Sequence, residues 1–341
     1  MGRHRASPLV FSGSAPAVIV EWKGASEVDW KSFYRRELER PEGRERATVW
    51  LESDPDPWVG DAVDRSGIVS FPHTALAYAG PLQAAVVSAL YRRRIDRVVA
   101  LGVLHGGGLT PYRAALDEDE AVETRSAGFE IVRGAFTDGS SEWETPFGLH
   151  PALPASGDSI RVDRAGLLTG EFSLDTFCAL LRLGSDVFGR PPIPVEPIFV
   201  GMTRDPVSGS FAEARRLAAW VRGRIEPATA LVATGDVVHY GTPYGPLDRG
   251  LLTDPTTLER AFEFDVRKTL SLALEAGDLE QAYRRSRDVL RSDQRELLPV
   301  VAAHLCVGAS FEIVSFELSD YAGILSVDPP CLVASAFLTY G

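Results

Sequence analysis

The chain has 341 residues, of which 45% are hydrophobic and 24% are charged, as in an ordinary globular protein that buries a core. Its formal net charge of −12 argues against nucleic acid or an anionic membrane as a partner. No apolar run is long enough to cross a bilayer, and the first residues lack the apolar region of a secretory signal. We therefore expect a cytoplasmic protein.

The first 66 residues have a mixed pattern that carries no motif. Residue types and spacing predict a strand over 17–22, an amphipathic helix over 28–40 and another strand over 47–51. We interpret residues 1–66 as an N-terminal extension packed on the main sheet, and residues 67–341 as the main α/β domain.

A strand, a helix and a second strand follow, and each strand ends at a histidine. Residues 68–71 predict a strand that is stopped by a proline, which leaves His73 just beyond its end. Residues 80–95 predict a helix, and 97–104 predict a buried parallel strand that ends at His105. Neighbouring parallel strands lie about 5 Å apart, so the two imidazoles can meet in the crevice where open α/β sheets bind ligands.

This histidine pair has two interpretations. Neutral imidazole is a common ligand of iron, copper, nickel and zinc, so two converging rings indicate a metal site. The alternative is that each histidine only caps a loop, and that the metal site does not exist. Because loops at strand ends tend to carry functional residues, we favour the metal site.

Two further histidines lie downstream. His150 stands in a proline-rich loop and by itself would be interpreted as a surface residue. Residues 228–234 predict another buried strand, and Asp236 and His239 follow it directly. Asp236 either orients an imidazole and sets its tautomer, or caps a turn.

The remaining elements alternate between strands and helices. Strands are predicted over 129–136, 195–200, 311–316 and 331–340, and helices over 174–183, 211–225, 258–275, 279–290 and 296–308. This order predicts an α/β fold with a mostly parallel mixed sheet flanked by helices.

Four short segments of the sequence each contain one of these histidines. They are Pro72-His73 with Tyr78-Ala79-Gly80, Leu101-Gly102 with His105, Leu149-His150-Pro151, and Thr234-Gly235-Asp236 with His239-Tyr240-Gly241. Together with the last strand, these segments resemble the Memo family, also known as protein B of the AmmeMemoRadiSam system. The fold of that family is shared with class III extradiol (LigB-type) ring-opening dioxygenases. The resemblance covers most of residues 67–341 and implies a LigB/Memo-like fold.

The resemblance also implies roles for individual residues. His73 and His105 occupy the two histidine metal-ligand positions, and His239, with Asp236, takes the place of the acid–base or pocket residue. The third ligand in the family is a cysteine or a carboxylate from a loop before a late helix. This chain has no cysteine there, and Glu296 is the expected substitute. Two histidines and one carboxylate suit Fe(II) best, with Cu or Zn as alternatives.

The same resemblance implies a substrate pocket that includes His150, Tyr78 and Tyr240. The chain departs from the family at two places, because Gly106 replaces the second of two paired histidines and Gly148 replaces a glutamate. Two functions therefore stay open. The first is a metal-dependent oxidoreductase similar to the dioxygenases, acting on a small molecule. The second is a non-catalytic protein that binds a small molecule or short peptide in the same crevice, with or without a metal. A homo-oligomer is compatible with either function.

A third class, acyl hydrolysis, is disfavoured. Residues 104–108 are similar to the oxyanion loop of lipases, but the chain contains no G-x-S-x-G elbow to carry a nucleophilic serine. Phosphate-binding loops and dinucleotide-binding fingerprints are also absent from the sequence.

Overall fold

The computed structural model describes residues 29–53, 57–105, 122–124, 130–164, 166–244 and 254–341. Its helices are α1 (Trp30–Glu39), α2 (Pro41–Glu52), α3 (Pro57–Ser66), α4 (Leu76–Arg92), α5 (Asp175–Phe188), α6 (Ala212–Arg222), α7 (Pro255–Leu270), α8 (Leu279–Arg285), α9 (Leu298–Leu305) and α10 (Ala322–Leu325). Its strands are β1 (Ile68–Phe71), β2 (Arg97–Val103), β3 (Val122–Thr124), β4 (Glu130–Val132), β5 (Ala135–Thr137), β6 (Glu142–Thr145), β7 (Gly148–Pro151), β8 (Ile160–Val162), β9 (Val195–Val200), β10 (Thr229–Thr234), β11 (Val238–Gly241), β12 (Phe311–Asp320) and β13 (Cys331–Tyr340).

The centre of the fold is a nine-stranded mixed sheet in the order β11-β13-β1-β10-β2-β9-β5-β8, with β12 also paired to β13. Strands β1, β10, β2 and β9 are parallel neighbours, whereas β11, β12 and β1 pair antiparallel with β13. The predicted α/β fold with a mixed, mostly parallel sheet flanked by helices is confirmed. The four parallel strands are buried on both faces, which explains why their sequences are almost continuously apolar.

Side chains of each central strand alternate between two hydrophobic cores. In β2, Val98 and Ala100 belong to the core shared with α2, α4 and α5, whereas Val99 and Leu101 belong to the core shared with α6, α7 and α9. This alternation is the two-residue period of a strand. The sheet is therefore held between two layers of helices.

The N-terminal part is helical where the sequence predicted a strand over 47–51. Those residues lie in α2, because Pro41 opens the helix at a position that needs no N–H, and Ala47 and Leu51 share one buried face. This face packs against α4 and α5. The strand predicted over 17–22 lies outside the described residues, and the boundary at residue 66 stays a prediction.

Helix α4 begins at Leu76, four residues before the predicted start, and Pro81 lies inside it. The first N–H groups of α4 are capped by a carboxylate from α1, a contact that is distant in sequence. Gly80 is needed where α2 crosses, because a Cβ at this position would lie 2.3 Å from the Trp50 ring.

The C-terminal helices are interrupted where the sequence predicted continuous ones. Helix α7 ends in a π-helical turn over Ser271–Glu275, and α8 ends in another over Ser286–Leu290. Arg291 then adopts a left-handed conformation, with φ of 51°, and the chain leaves the helix direction just before Asp293. Within the described ranges, no helix has the length and apolar character that crossing a membrane requires.

Candidate metal centre

Three histidines meet at the carboxyl edge of the parallel strands. His73 follows β1, His105 follows β2, and His239 lies in β11, shortly after β10. Strand β10 lies between β1 and β2, so the two histidine-bearing strands are not direct neighbours. The rings of His73 and His105 nevertheless approach to a centroid distance of 5.2 Å.

The three imidazoles surround one carboxylate oxygen, Oδ2 of Asp293. This atom lies 2.9 Å from Nε2 of His73, 3.6 Å from Nε2 of His239 and 3.9 Å from Nε2 of His105. Asp236 adds a second carboxylate, with its Oδ2 at 3.8 Å from Nε2 of His73. These five side chains form a cluster that can hold a metal ion.

Glu171 orients the ring of His105. Its Oε1 lies 3.0 Å from Nδ1 of His105, so the neutral ring carries its proton on Nδ1 and presents the lone pair of Nε2 toward Asp293. Glu171 also accepts the backbone N–H groups of His105, Phe172 and Ser173 at 2.7–2.8 Å. The ring of Phe172 stacks on that of His105 at 4.4 Å. His105 is therefore held on two sides.

The ring of His239 is oriented by a backbone carbonyl. Its Nδ1 donates to the carbonyl oxygen of Arg291 at 3.0 Å. A carbonyl only accepts hydrogen bonds, so neutral His239 also has its free lone pair on Nε2, the atom that faces Asp293. The ring of Tyr244 lies against this imidazole at 4.8 Å.

Asp236 is held by the hydroxyl of Thr74 and faces His73. The hydroxyl of Thr74 donates to its Oδ1 at 2.5 Å and lies 2.6 Å from the hydroxyl of Ser335. The backbone carbonyl of Asp236 accepts the N–H of Asp293 at 3.0 Å, which ties the two carboxylate-bearing loops together. The Nδ1 of His239 is bonded to Arg291 and not to Asp236, and the role of Asp236 in orienting an imidazole stays a prediction.

The pKa values of the two aspartates are shifted in opposite directions. Burial disfavours the charged form of Asp293, but His239, His105 and His73 outweigh it and hold the pKa of this carboxyl well below its ordinary value. Burial dominates at Asp236 and raises its pKa, although His73 and His239 oppose the shift. Burial also opposes charge on His105, but Glu171 and Asp293 raise its pKa to about 10. The metal-free cluster therefore keeps a carboxylate on Asp293 and a proton on His105.

The carboxylate beside the histidines is Asp293, and the prediction that Glu296 lies there needs correction. Both oxygens of Glu296 are used elsewhere: Oε2 accepts the N–H of Thr203 at 2.9 Å, and Oε1 accepts the hydroxyl of Tyr283 at 2.7 Å. A short 3₁₀ turn over Asp293–Arg295 separates the two acids and turns them in different directions. Asp293 was missed although it stands in the same loop, three residues earlier.

The structure does not bring His150 to the cluster. His150 lies on β7, paired across a hairpin with Trp143 and close to Ile193 and Arg182. Ile193 precedes β9 and therefore marks the amino edge of the parallel strands, opposite the edge that carries the other histidines. Burial lowers the pKa of His150 to about 4, so the ring is neutral.

The two tyrosines predicted to line a pocket have other contacts. Tyr240 is buried, with its ring 5.2 Å from that of Phe262 in the hydrophobic core. Adjacent residues of a strand face opposite sides, so Tyr240 points away when His239 points toward the cluster. The hydroxyl of Tyr78 donates to the carbonyl of Asp320 at 2.8 Å, and a pocket role for Tyr78 stays a prediction.

The carboxyl of Asp175 predicts that the stability of the fold depends on pH. Asp175 is partly buried, and its Oδ1 accepts a hydrogen bond from Nε1 of Trp143 at 3.2 Å. Burial raises the pKa of Asp175 to about 7. Between the ordinary pKa of an aspartate and pH 7, Asp175 holds a proton in the folded state that it has released in the unfolded chain. The free energy of unfolding therefore falls as pH rises through this range. Asp175→Asn keeps the acceptor and removes the charge.

We expect Asp175→Asn to be more stable than the natural chain at pH 8 by about 1–3 kcal/mol, after allowing for solvent screening at this partly exposed site. The two proteins should be nearly equal in stability at pH 4. Urea unfolding at both values measures the difference. A difference that is the same at pH 4 and pH 8 contradicts the prediction.

Comparison with protein-family models and with curated protein sequences finds no match to this chain. The chain has an α/β fold with a mixed, mostly parallel sheet. It carries a cluster that can hold a metal ion, made of His73, His105, Asp236, His239 and Asp293.

Proposed function

We propose that the chain is a metalloprotein that binds one divalent transition-metal ion through Nε2 of His73, Nε2 of His105 and the carboxylate of Asp293. The observation that carries this proposal is the convergence of these three ligand atoms, all within 4.8 Å of one another. Two imidazoles and one carboxylate leave coordination positions open, a set that suits Fe(II), with Cu or Zn as alternatives.

The orientation of the His105 ring supports the proposal. A metal-binding histidine needs its lone pair on the ligating nitrogen, and a partner on the other nitrogen ensures this. His105 has Glu171 at its Nδ1, and Nε2 faces Asp293. The low pKa of Asp293 also supports the proposal, because a carboxylate that stays ionised is available as a ligand.

We further propose that the protein is a Memo-like, metal-dependent oxidoreductase, similar to the extradiol dioxygenases, that acts on a small molecule. A bound Fe(II) ion would supply the redox chemistry toward dioxygen. His239 stands beside the three ligands with Nε2 free of its Arg291 contact, so this atom is placed to take up and return a proton. Asp236 would stabilise the positive charge that a proton brings to the cluster.

Metal analysis of protein made without a His tag tests the proposal. We expect about one ion per chain after purification under reducing, iron-supplemented conditions, and a small fraction of that in His73→Ala. His304→Ala is the matched control, because His304 lies in α9, outside the cluster, and should leave the metal content unchanged.

A natural chain that never holds stoichiometric metal under these conditions overturns the proposal. His239→Ala separates metal binding from proton transfer, because it should keep the metal and lose turnover of any substrate found. A protein that holds the metal but turns over no small molecule in a dioxygen-uptake screen supports the non-catalytic alternative instead.

A further inference from the structure

We propose that helix α1 is part of the metal centre, and that its Glu37 is a positioning residue for His73. The inference rests on the proposed function, because the affinity for metal is what reports the position of His73. The helix belongs to the N-terminal extension and supplies no ligand. It acts through the turn over residues 73–77, which connects His73 to α4.

The turn lacks a cap of its own. Helix α4 starts after Ala75, which has no side chain able to cap, and no acidic residue lies in the first turn of the helix. Glu37 provides the cap from α1: Oε2 accepts the N–H of Leu76 at 2.9 Å, and Oε1 accepts the N–H of Ala77 at 3.4 Å. A carboxylate at a helix N-terminus satisfies free N–H groups and interacts favourably with the helix dipole.

The rest of the turn is held from the side of the sheet. The hydroxyl of Thr74 is bonded to Asp236, and the N–H of Ala75 donates to the hydroxyl of Tyr321 at 2.6 Å. The amide of Gln83 donates to the carbonyls of Pro72 and Thr74 at 2.9 and 2.8 Å. Glu37 completes this frame at the helix start, so its removal frees one end of a short segment that begins at His73.

A second contact links α1 to the cluster. The ring of Tyr34 stacks on that of Phe172 at 5.3 Å, and Phe172 stacks on His105 at 4.4 Å. Helix α1 therefore supports both proposed histidine ligands, one through a hydrogen-bonded cap and the other through stacked rings. The partial burial of Glu37 raises its pKa to about 6, a cost that the two N–H groups partly offset.

The alternative is that Glu37 only stabilises α4 and has no effect on the metal. Measuring metal affinity and folding stability separately distinguishes the two hypotheses. Full-length Glu37→Ala and Glu37→Gln are compared with Tyr91→Phe, which removes a buried hydrogen bond of 2.7 Å to the carbonyl of Leu181, near the other end of α4. Each protein is titrated with Co(II) against a chelator, its visible absorption spectrum is recorded, and its unfolding is measured without metal.

We expect Glu37→Ala to bind Co(II) about 10- to 100-fold more weakly than the natural chain, with a changed spectrum, as for other residues that hold metal ligands in place. Glu37→Gln should lose less, because its amide oxygen still accepts one N–H. Tyr91→Phe should lose stability and keep both affinity and spectrum.

Unchanged affinity and spectrum in both Glu37 variants overturn this inference and leave the proposed function intact. If the natural chain binds no Co(II) and no iron, the proposed function fails first and this inference fails with it. If Glu37→Ala does not fold, Glu37→Gln alone tests the inference. A weaker affinity of this variant for Co(II) supports the inference, and an unchanged affinity overturns it.

Discussion

Asp293→Asn is expected to abolish stoichiometric metal binding, with a loss of affinity of at least about 100-fold, more than the loss of a supporting residue costs. The carboxylate lies within 4 Å of three imidazole nitrogens and stays ionised because those rings surround it. An amide in its place offers no negative charge to a cation. Chelator competition and metal analysis of the purified variant give the measurement.

Glu296→Gln is the matched control for this experiment. It removes a carboxylate from the same loop, but one that accepts hydrogen bonds from Thr203 and Tyr283 rather than facing the histidines. We expect it to lower the free energy of unfolding and to keep the metal. If Glu296→Gln loses the metal and Asp293→Asn keeps it, the ligand set proposed here is wrong.

Glu171→Ala should have the second-largest effect. The change leaves the imidazole N–H of His105 and three backbone N–H groups without their buried acceptor. Breaking a buried pair in this way costs about 3–5 kcal/mol of stability. We also expect metal affinity to fall about 10- to 100-fold, because the ring of His105 is no longer oriented. Urea unfolding of the metal-free protein and chelator competition measure the two effects.

The ion pair between Glu171 and His105 also predicts how the stability of the metal-free protein depends on pH. The pKa of His105 is raised to about 10. The charged ring therefore contributes its full stabilisation of the folded state below the ordinary pKa of histidine, and this stabilisation is lost as pH rises toward 10. Burial works to raise the pKa of Glu171, but His105 and the hydrogen bonds lower it, so its contribution is lost only in acid. In Glu171→Ala the decline between neutral pH and pH 10 should be smaller than in the natural chain.

Glu144→Ala serves as the control for Glu171→Ala, since Glu144 is exposed and pairs only at the surface with Arg35. Its stability should stay within about 0.5 kcal/mol of the natural value. Equal losses in the two variants would show that Glu171 has no special role.

The parallel strands and the histidines at their ends were predictable because both signals are local. A strand buried on both faces must be apolar throughout, and the residue after its end lies at the sheet edge, as His73 and His105 do. The carboxylate was not predictable to the residue, because Asp293 and Glu296 occupy one short loop and only the 3₁₀ turn between them decides which faces the rings.

Other features were missed because they depend on contacts between distant parts of the chain. Residues 47–51 contain β-branched and aromatic types that favour a strand, but burial of one face against α4 and α5 makes them helical. The early start of α4 depends on Glu37, about 40 residues away in sequence. Glu171 stands between predicted elements, where no local pattern marks it as a partner of His105.

The position of β10 in the sheet determines when the proposed metal ligands can come together during folding. Because β10 inserts between β1 and β2, the segment that carries His73 and His105 cannot close into a continuous sheet until residues about 130 positions later have folded onto it. Asp293 arrives later still, 220 residues after His73. Such a high contact order slows folding. A ribosome-bound nascent chain that ends before Asp293 therefore lacks one of the three proposed metal ligands, even when both histidines have been synthesised.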